Sequence, residues 1–138
     1  MNELPMNDSV DDDDDDFLEN DPLEDKDELT IIQKTFDFII WYVPILNGLN
    51  KSYKFGLGDR ISNRLYSFYE GLVEARYANQ KLQKLELLNT QLQLLRCQTR
   101  ILRKLKLIPI RRYKVAGESI YEIGIQLGGW IKQQKHKS

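Results

Sequence analysis

From Leu29 onward, apolar residues recur at spacings of three and four. Leu29, Ile32, Phe36, Ile39, Ile40 and Val43 fall on one side of a helix. Pro44 kinks or ends that helix, and Asn47-Gly48 followed by Asn50-Lys51-Ser52 reads as a stop and a loop. A second helix begins near Leu57, with Leu57, Ile61, Leu65, Phe68 and Leu72 as its inner stripe, widened by Tyr69 and Val73. After a break around Asn79 a third helix follows, in which Leu85, Leu88, Leu92, Leu95, Thr99 and Leu102 keep a strict alternation. Beside that stripe, Leu87, Leu94, Ile101 and Ile108 recur every seven residues, as expected of a helix that touches two neighbours. Pro109 closes the third helix and suits the opening of a fourth. There Tyr113, Gly117, Ile120, Gly124, Leu127 and Ile131 mark the inner stripe, with Ala116, Ile123 and Trp130 alongside.

No stretch alternates with the period of two that a strand requires, so the fold class is all-α. Four amphipathic helices with short connections predict an antiparallel up-down four-helix bundle over residues 29–138. A bundle of this length buries an adequate core unaided.

Helix four sits awkwardly in that picture. It carries Gly117, Gly124, Gly128 and Gly129, and each interior glycine costs about 1 kcal/mol relative to alanine. Close backbone approach of another helix is the usual compensation. Either helix four nestles inside its own bundle, or these glycines, with Trp130, pack against another subunit; the sequence leaves both open.

Charge changes the reading more than length does. The 138 residues carry a formal charge of −1, which hides a split. Residues 1–28 hold fourteen acids, including the run Asp11 to Asp16, and one base, Lys26, for a net of −13. Residues 29–138 hold seven acids and nineteen bases, for a net of +12. An aspartate run buries nothing and repels itself, so the sequence predicts a disordered acidic tail on a basic domain.

Composition also excludes chemistry. A single cysteine, Cys97, forms no intrachain disulfide and suits a reduced, cytoplasmic setting. A single histidine, His136, leaves neither a metal cluster nor a histidine-based triad, so no cofactor is expected. The longest uninterrupted apolar run, Ile39 to Val43, is far short of a membrane span. No carboxylate pair in the helices is accompanied by a base or a metal ligand, and the chain reads as a non-enzyme with no small-molecule substrate.

The bases are informative. Arg96, Arg100 and Arg103 stack along one face of helix three, with Lys104 beside them. Lys106, Arg111, Arg112 and Lys114 follow at the join to helix four, and no acid lies between residues 96 and 114. Arg60 and Arg64 form another pair, one turn apart, on helix two. An ordinary solvated face mixes signs; a face with no acids repels itself unless it meets an anion. Nucleic acid, held through phosphate contacts and counterion release, is the commonest such partner.

Other features read more blandly. Tyr66, Tyr69, Tyr77, Tyr113 and Tyr121 are better placed at the edge of a core than as base-stacking platforms. Trp41 and Trp130 read as core or interface anchors. Gly56-Leu57-Gly58-Asp59 lacks the preceding strand and third glycine of a phosphate loop. Cys97, between the inner stripe and the basic face, reads as a buried structural thiol.

Three segments carry a family resemblance. Tyr53-Lys54-Phe55-Gly56-Leu57-Gly58-Asp59-Arg60-Ile61 with Leu72-Val73-Glu74-Ala75 is the first. Leu92-Gln93-Leu94-Leu95-Arg96 with Ile101-Leu102-Arg103 is the second, and Tyr121-Glu122-Ile123-Gly124-Ile125-Gln126-Leu127-Gly128-Gly129-Trp130-Ile131 the third. Over residues 30–134 the chain resembles the small four-helix bundles that include the accessory variability determinant (Avd) of diversity-generating retroelements. The resemblance implies a non-catalytic partner of a reverse transcriptase that assembles as a homopentamer. It also implies binding of RNA and DNA in support of mutagenic cDNA synthesis (retrohoming). The acidic tail has no counterpart in the family pattern. A bundle of the type encoded within ribosomal-RNA intervening sequences, or an interaction bundle that binds an acidic protein, remains the alternative.

Overall fold

The structure, a computed structural model, describes residues 26–137. The acidic stretch 1–25, and with it the expected disordered tail, lies outside the described residues. Four long helices make up the domain: α1 (Lys26–Asn47), α2 (Asp59–Tyr77), α3 (Leu82–Lys104) and α4 (Ile110–Lys137). A single α-helical turn, Lys51–Tyr53, and a π-helical turn, Lys54–Gly58, lead directly into α2. Among the described residues there is no strand. Each helix packs on the next and α4 returns to α1, so the four contacts close a square. This is the antiparallel bundle that the periodicity predicts.

Helix α1 starts at Lys26, so residues 26–28, acidic-tail residues by composition, are its first turn. Glu28 is buried there, its Oε1 4.0 Å from Nε of the equally buried Arg76 of α2. Pro44 does not stop α1, which runs three residues further. Proline lacks the N–H that would bond to Ile40, and that carbonyl belongs to an exposed residue where water can serve it.

The inner face of α1 differs from the stripe expected of it. Ile31, Thr35, Phe38, Tyr42 and Leu46 are buried, continuing the line from Glu28, whereas Ile40 is 58% exposed. Of the expected stripe only Ile32 is fully buried; Ile39 and Val43 pack half-buried at its flank. The reason is polar residues with buried partners. Thr35 Oγ1 donates to the Ile31 carbonyl at 2.9 Å, and the Tyr42 and Thr99 hydroxyls bond at 2.9 Å. A stripe traced through apolar residues alone therefore drifts off the true axis.

The stripes of α2 and α3 fall where expected, with Ile61, Leu65, Phe68 and Leu72 facing Leu85, Leu88, Leu92, Leu95, Thr99 and Leu102 in one core. Between them Gly71 permits a close approach: a Cβ there would lie 2.5 Å from Leu88 Cδ2. In α4 the buried line is Ala116, Ile120, Ile123, Leu127 and Trp130, while Tyr113, Gly117, Gly124 and Ile131 lie at its edge.

Two helix ends are fixed locally. Lys81 Nζ donates to the carbonyls of Ala75 and Arg76 and so closes α2. At the end of α3, Lys106 adopts φ 60°. The Lys106 amide donates to the Arg103 carbonyl at 2.8 Å, and the Leu107 amide to the Leu102 carbonyl at 3.0 Å. This is a Schellman ending with lysine where glycine is usual.

Candidate nucleic-acid interface

Arg96, Arg100 and Lys104 occupy successive turns of α3, and all three are exposed. Arg96 Nη1 donates to Gln93 Oε1 at 3.0 Å, which leaves the rest of its guanidinium to solvent. The α3–α4 connection and the first turns of α4 continue this surface with Lys106, Arg111, Arg112 and Lys114, also exposed. Among the described residues no carboxylate pairs with any base from 96 to 114; ion pairs elsewhere include Lys34 with Glu122, Arg76 with Glu28 and Lys84 with Glu74. The nearest acids in the chain are Glu86 and Glu118. The strip is therefore electrostatically uncompensated by the bundle that carries it.

Two expected members have other work. Arg103 is half-buried, and its Nη1 donates to the Ile108 carbonyl at 2.9 Å, holding the connection against the end of α3. Arg64 is also half-buried; its Nε donates to Gln98 Oε1 at 3.0 Å and its Nη1 to Gln91 Oε1. Gln91 and Gln98 mark the flank of α3 that meets α2. Arg96 and Arg100 lie roughly half a turn away, on the side bordering α4. Arg60 and Arg64 are thus separated from the strip rather than joined to it. Their spacing looks the same in sequence; only the partner helix distinguishes a bridging arginine from a solvated one.

The residues expected at a subunit contact also divide. Trp130 is a core residue, 5% exposed. A Cβ added at Gly117, Gly128 or Gly129 would meet nothing within 4 Å, and at Gly124 it would make ordinary contact with Leu92 Cδ2 at 3.5 Å. Among the described residues no close approach therefore compensates these glycines. Among the described residues the seven-residue row has no second neighbour either: Leu87, Leu94 and Ile101 of α3 are 62%, 39% and 48% exposed, and only Ile108, in the connection beyond it, is buried. Tyr121 and Ile125 add exposed apolar surface on α4. Sequence pattern announced this row, but as an inner seam.

Cys97 is exposed, one position from Arg96 and three from Arg100, and is not the buried thiol expected. The apolar row on one side of α3 and the bases on the other leave it at their boundary. The Gly56-Leu57-Gly58 segment lies in the π-helical turn, where Gly58 is buried and a Cβ would come 3.3 Å from the Tyr53 carbonyl oxygen. Gly58 thus serves close packing, whereas Gly56 is exposed with open space around it. Residues 28–47 of α1 are apolar enough in composition to cross a membrane, with a mean hydropathy of 1.3. About a third of that stretch is buried, in contacts with α2 and α4. Among the described residues no three His, Cys, Asp or Glu side chains group to hold a metal.

No curated protein and no solved structure matches the chain. A family model described as bAvd-like matches residues 29–134, all four helices of the bundle and none of the acidic stretch before them. With that match running through all four helices, from the buried face of α1 to the basic strip of α3 and α4, the chain belongs to the bAvd-like family of accessory variability determinants.

Proposed function

We propose that this chain is the accessory protein of a diversity-generating retroelement, binding the element's reverse transcriptase together with its template RNA and cDNA to support mutagenic retrohoming. Family membership supports the setting. The observation that carries the nucleic-acid part is the uncompensated strip of Arg96, Arg100, Lys104, Lys106, Arg111, Arg112 and Lys114. Cations with no carboxylate partner lower their mutual repulsion most by neutralising phosphates, with release of condensed counterions. Assembly belongs to the same reading: the exposed row Leu87, Leu94 and Ile101 and the open glycines of α4 supply apolar, closely approachable surface for homopentamer contacts. The protein acts in the cytoplasm, where its lone thiol stays reduced.

The test replaces Arg96, Arg100 and Lys104 by Gln, sparing Arg103 because it holds the α3–α4 connection. Binding to single-stranded RNA or DNA should weaken for all sequences, and the log-affinity against log-salt slope should fall by up to about 3, roughly 1 per lost contact. Unchanged binding with intact helicity would place the nucleic-acid surface elsewhere.

A further inference from the structure

The basic strip has no acidic partner in the bundle, yet the same chain carries a matching charge. Residues 1–25 hold twelve acids and no base, six of them consecutive from Asp11 to Asp16. They join the bundle at Lys26, at the end of α1 remote from the α3–α4 connection.

Geometry permits the two to meet. Lys34 of α1 faces Glu122 of α4, and Gly124 of α4 faces Leu92 of α3, which sets the relative height of the helices. On that register Arg96 and Arg100 lie about 15–20 Å along the bundle from Lys26, at 1.5 Å per residue. Passing around α4 adds roughly one helix diameter, about 10 Å. The ten residues from Asp16 to Lys26 can span up to about 33 Å. The connecting residues are therefore long enough for the aspartate run to meet the strip with every helix left in place.

We propose that the acidic segment 1–25 docks on the Arg96–Arg100–Lys104 strip of its own chain and acts as a built-in competitor for polyanions. Its regulatory consequence rests on the reading of that strip as a nucleic-acid surface; the docking itself does not. The segment is a weak ligand, because its carboxylates are single charges with no fixed register on the bases. Tethering compensates, by holding it near the strip at an effective concentration in the millimolar range. A segment with a millimolar dissociation constant then lowers the apparent affinity of any competing polyanion by roughly 2–10-fold. A short or poorly fitting nucleic acid loses to it, whereas a long one that covers the strip and the connection together displaces it.

The single cysteine provides the probe. Cys97 is exposed among these bases, so a nitroxide spin label attaches there and nowhere else in the full-length chain. At about 50 mM salt, where the Debye length is still more than 10 Å, the label should broaden the amide resonances of residues 11–16. The broadening should disappear in about 0.5 M salt, and in a full-length variant with Asp11 to Asp16 all changed to Asn. Sharp tail resonances at low salt would overturn the docking.

The second arm measures affinity for a random single-stranded RNA with the unlabelled proteins. The Asp-to-Asn variant should bind roughly 2–10-fold more tightly than the parent at about 50 mM salt and equally at high salt. Equal affinity at low salt would overturn the competition. Docking seen by the label, with no RNA binding by either protein, would uphold the contact and refute the nucleic-acid reading of the strip.

Discussion

The Tyr42 and Thr99 hydroxyls meet at 2.9 Å in the centre of the bundle, joining α1 to α3 across its diagonal. Neither residue has access to water, so each hydroxyl depends on the other. Changing Tyr42 to Phe should cost about 1–2 kcal/mol by stranding the Thr99 hydroxyl. Adding Thr99→Val should cost much less than its effect alone, since both polar groups are then gone. Denaturant melts of the four proteins measure the coupling, and strictly additive losses would show that the hydroxyls act independently.

The same tyrosine makes the protein alkali-sensitive. Burial pushes the Tyr42 phenol up to about 12 from its usual 10, against a smaller opposing effect of the Thr99 hydrogen bond. The folded state thus keeps a proton that the unfolded chain releases between pH 10 and 12. The contribution is fully present below pH 10 and is lost as pH rises towards 12. Unfolding free energies at pH 9 and 11 should differ by less in Tyr42→Phe than in the parent.

Lys106 holds a left-handed backbone at the Schellman ending of α3, a conformation that disfavours any side chain. Lys106→Gly should raise the unfolding free energy by about 1 kcal/mol, read by thermal or urea denaturation. No gain would mean that the lysine side chain contributes there as much as glycine would relieve.

The outer row of α3 carries the assembly reading. Leu94→Gln with Ile101→Gln should reduce a particle of about five times 16.3 kDa to smaller species in light scattering, with helicity retained. Gly117→Ala and Gly128→Ala should act differently. Each should stabilise the separated chain by up to about 1 kcal/mol while weakening assembly where a neighbouring helix approaches. A parent protein that runs as a monomer would remove the pentamer.

The helices of this fold are plain in the sequence wherever apolar residues alone define the buried face. In α2 and α3 the expected and observed stripes agree, down to Thr99 among the leucines. In α1 they part by about one residue around the helix, because Glu28, Thr35 and Tyr42 are polar residues whose buried partners lie on other helices or one turn back. A single sequence shows the residue but not its partner. The basic strip is legible for the same reason in reverse, since solvated charges need no partner. Arg64 and Arg103 mislead because their hydrogen bonds reach Gln91, Gln98 and the Ile108 carbonyl, contacts that exist only once the helices are docked. Gly71 escapes notice for a similar cause: nothing near it in sequence marks the approach of Leu88.

Because the helix contacts close on themselves, chain order is one of several ways to thread the same square. The start of α1 and the end of α4 lie at one end of the bundle, so in a chain without residues 1–25 a short linker from Lys137 to Lys26 could replace the connection at residues 105–109 as the covalent link. In such a circular permutant the bases of α3 and those of α4 would sit at opposite ends of the polypeptide while remaining neighbours in space. Its phosphate binding would tell whether the surface needs that tight connection or only the placement the packed helices already give.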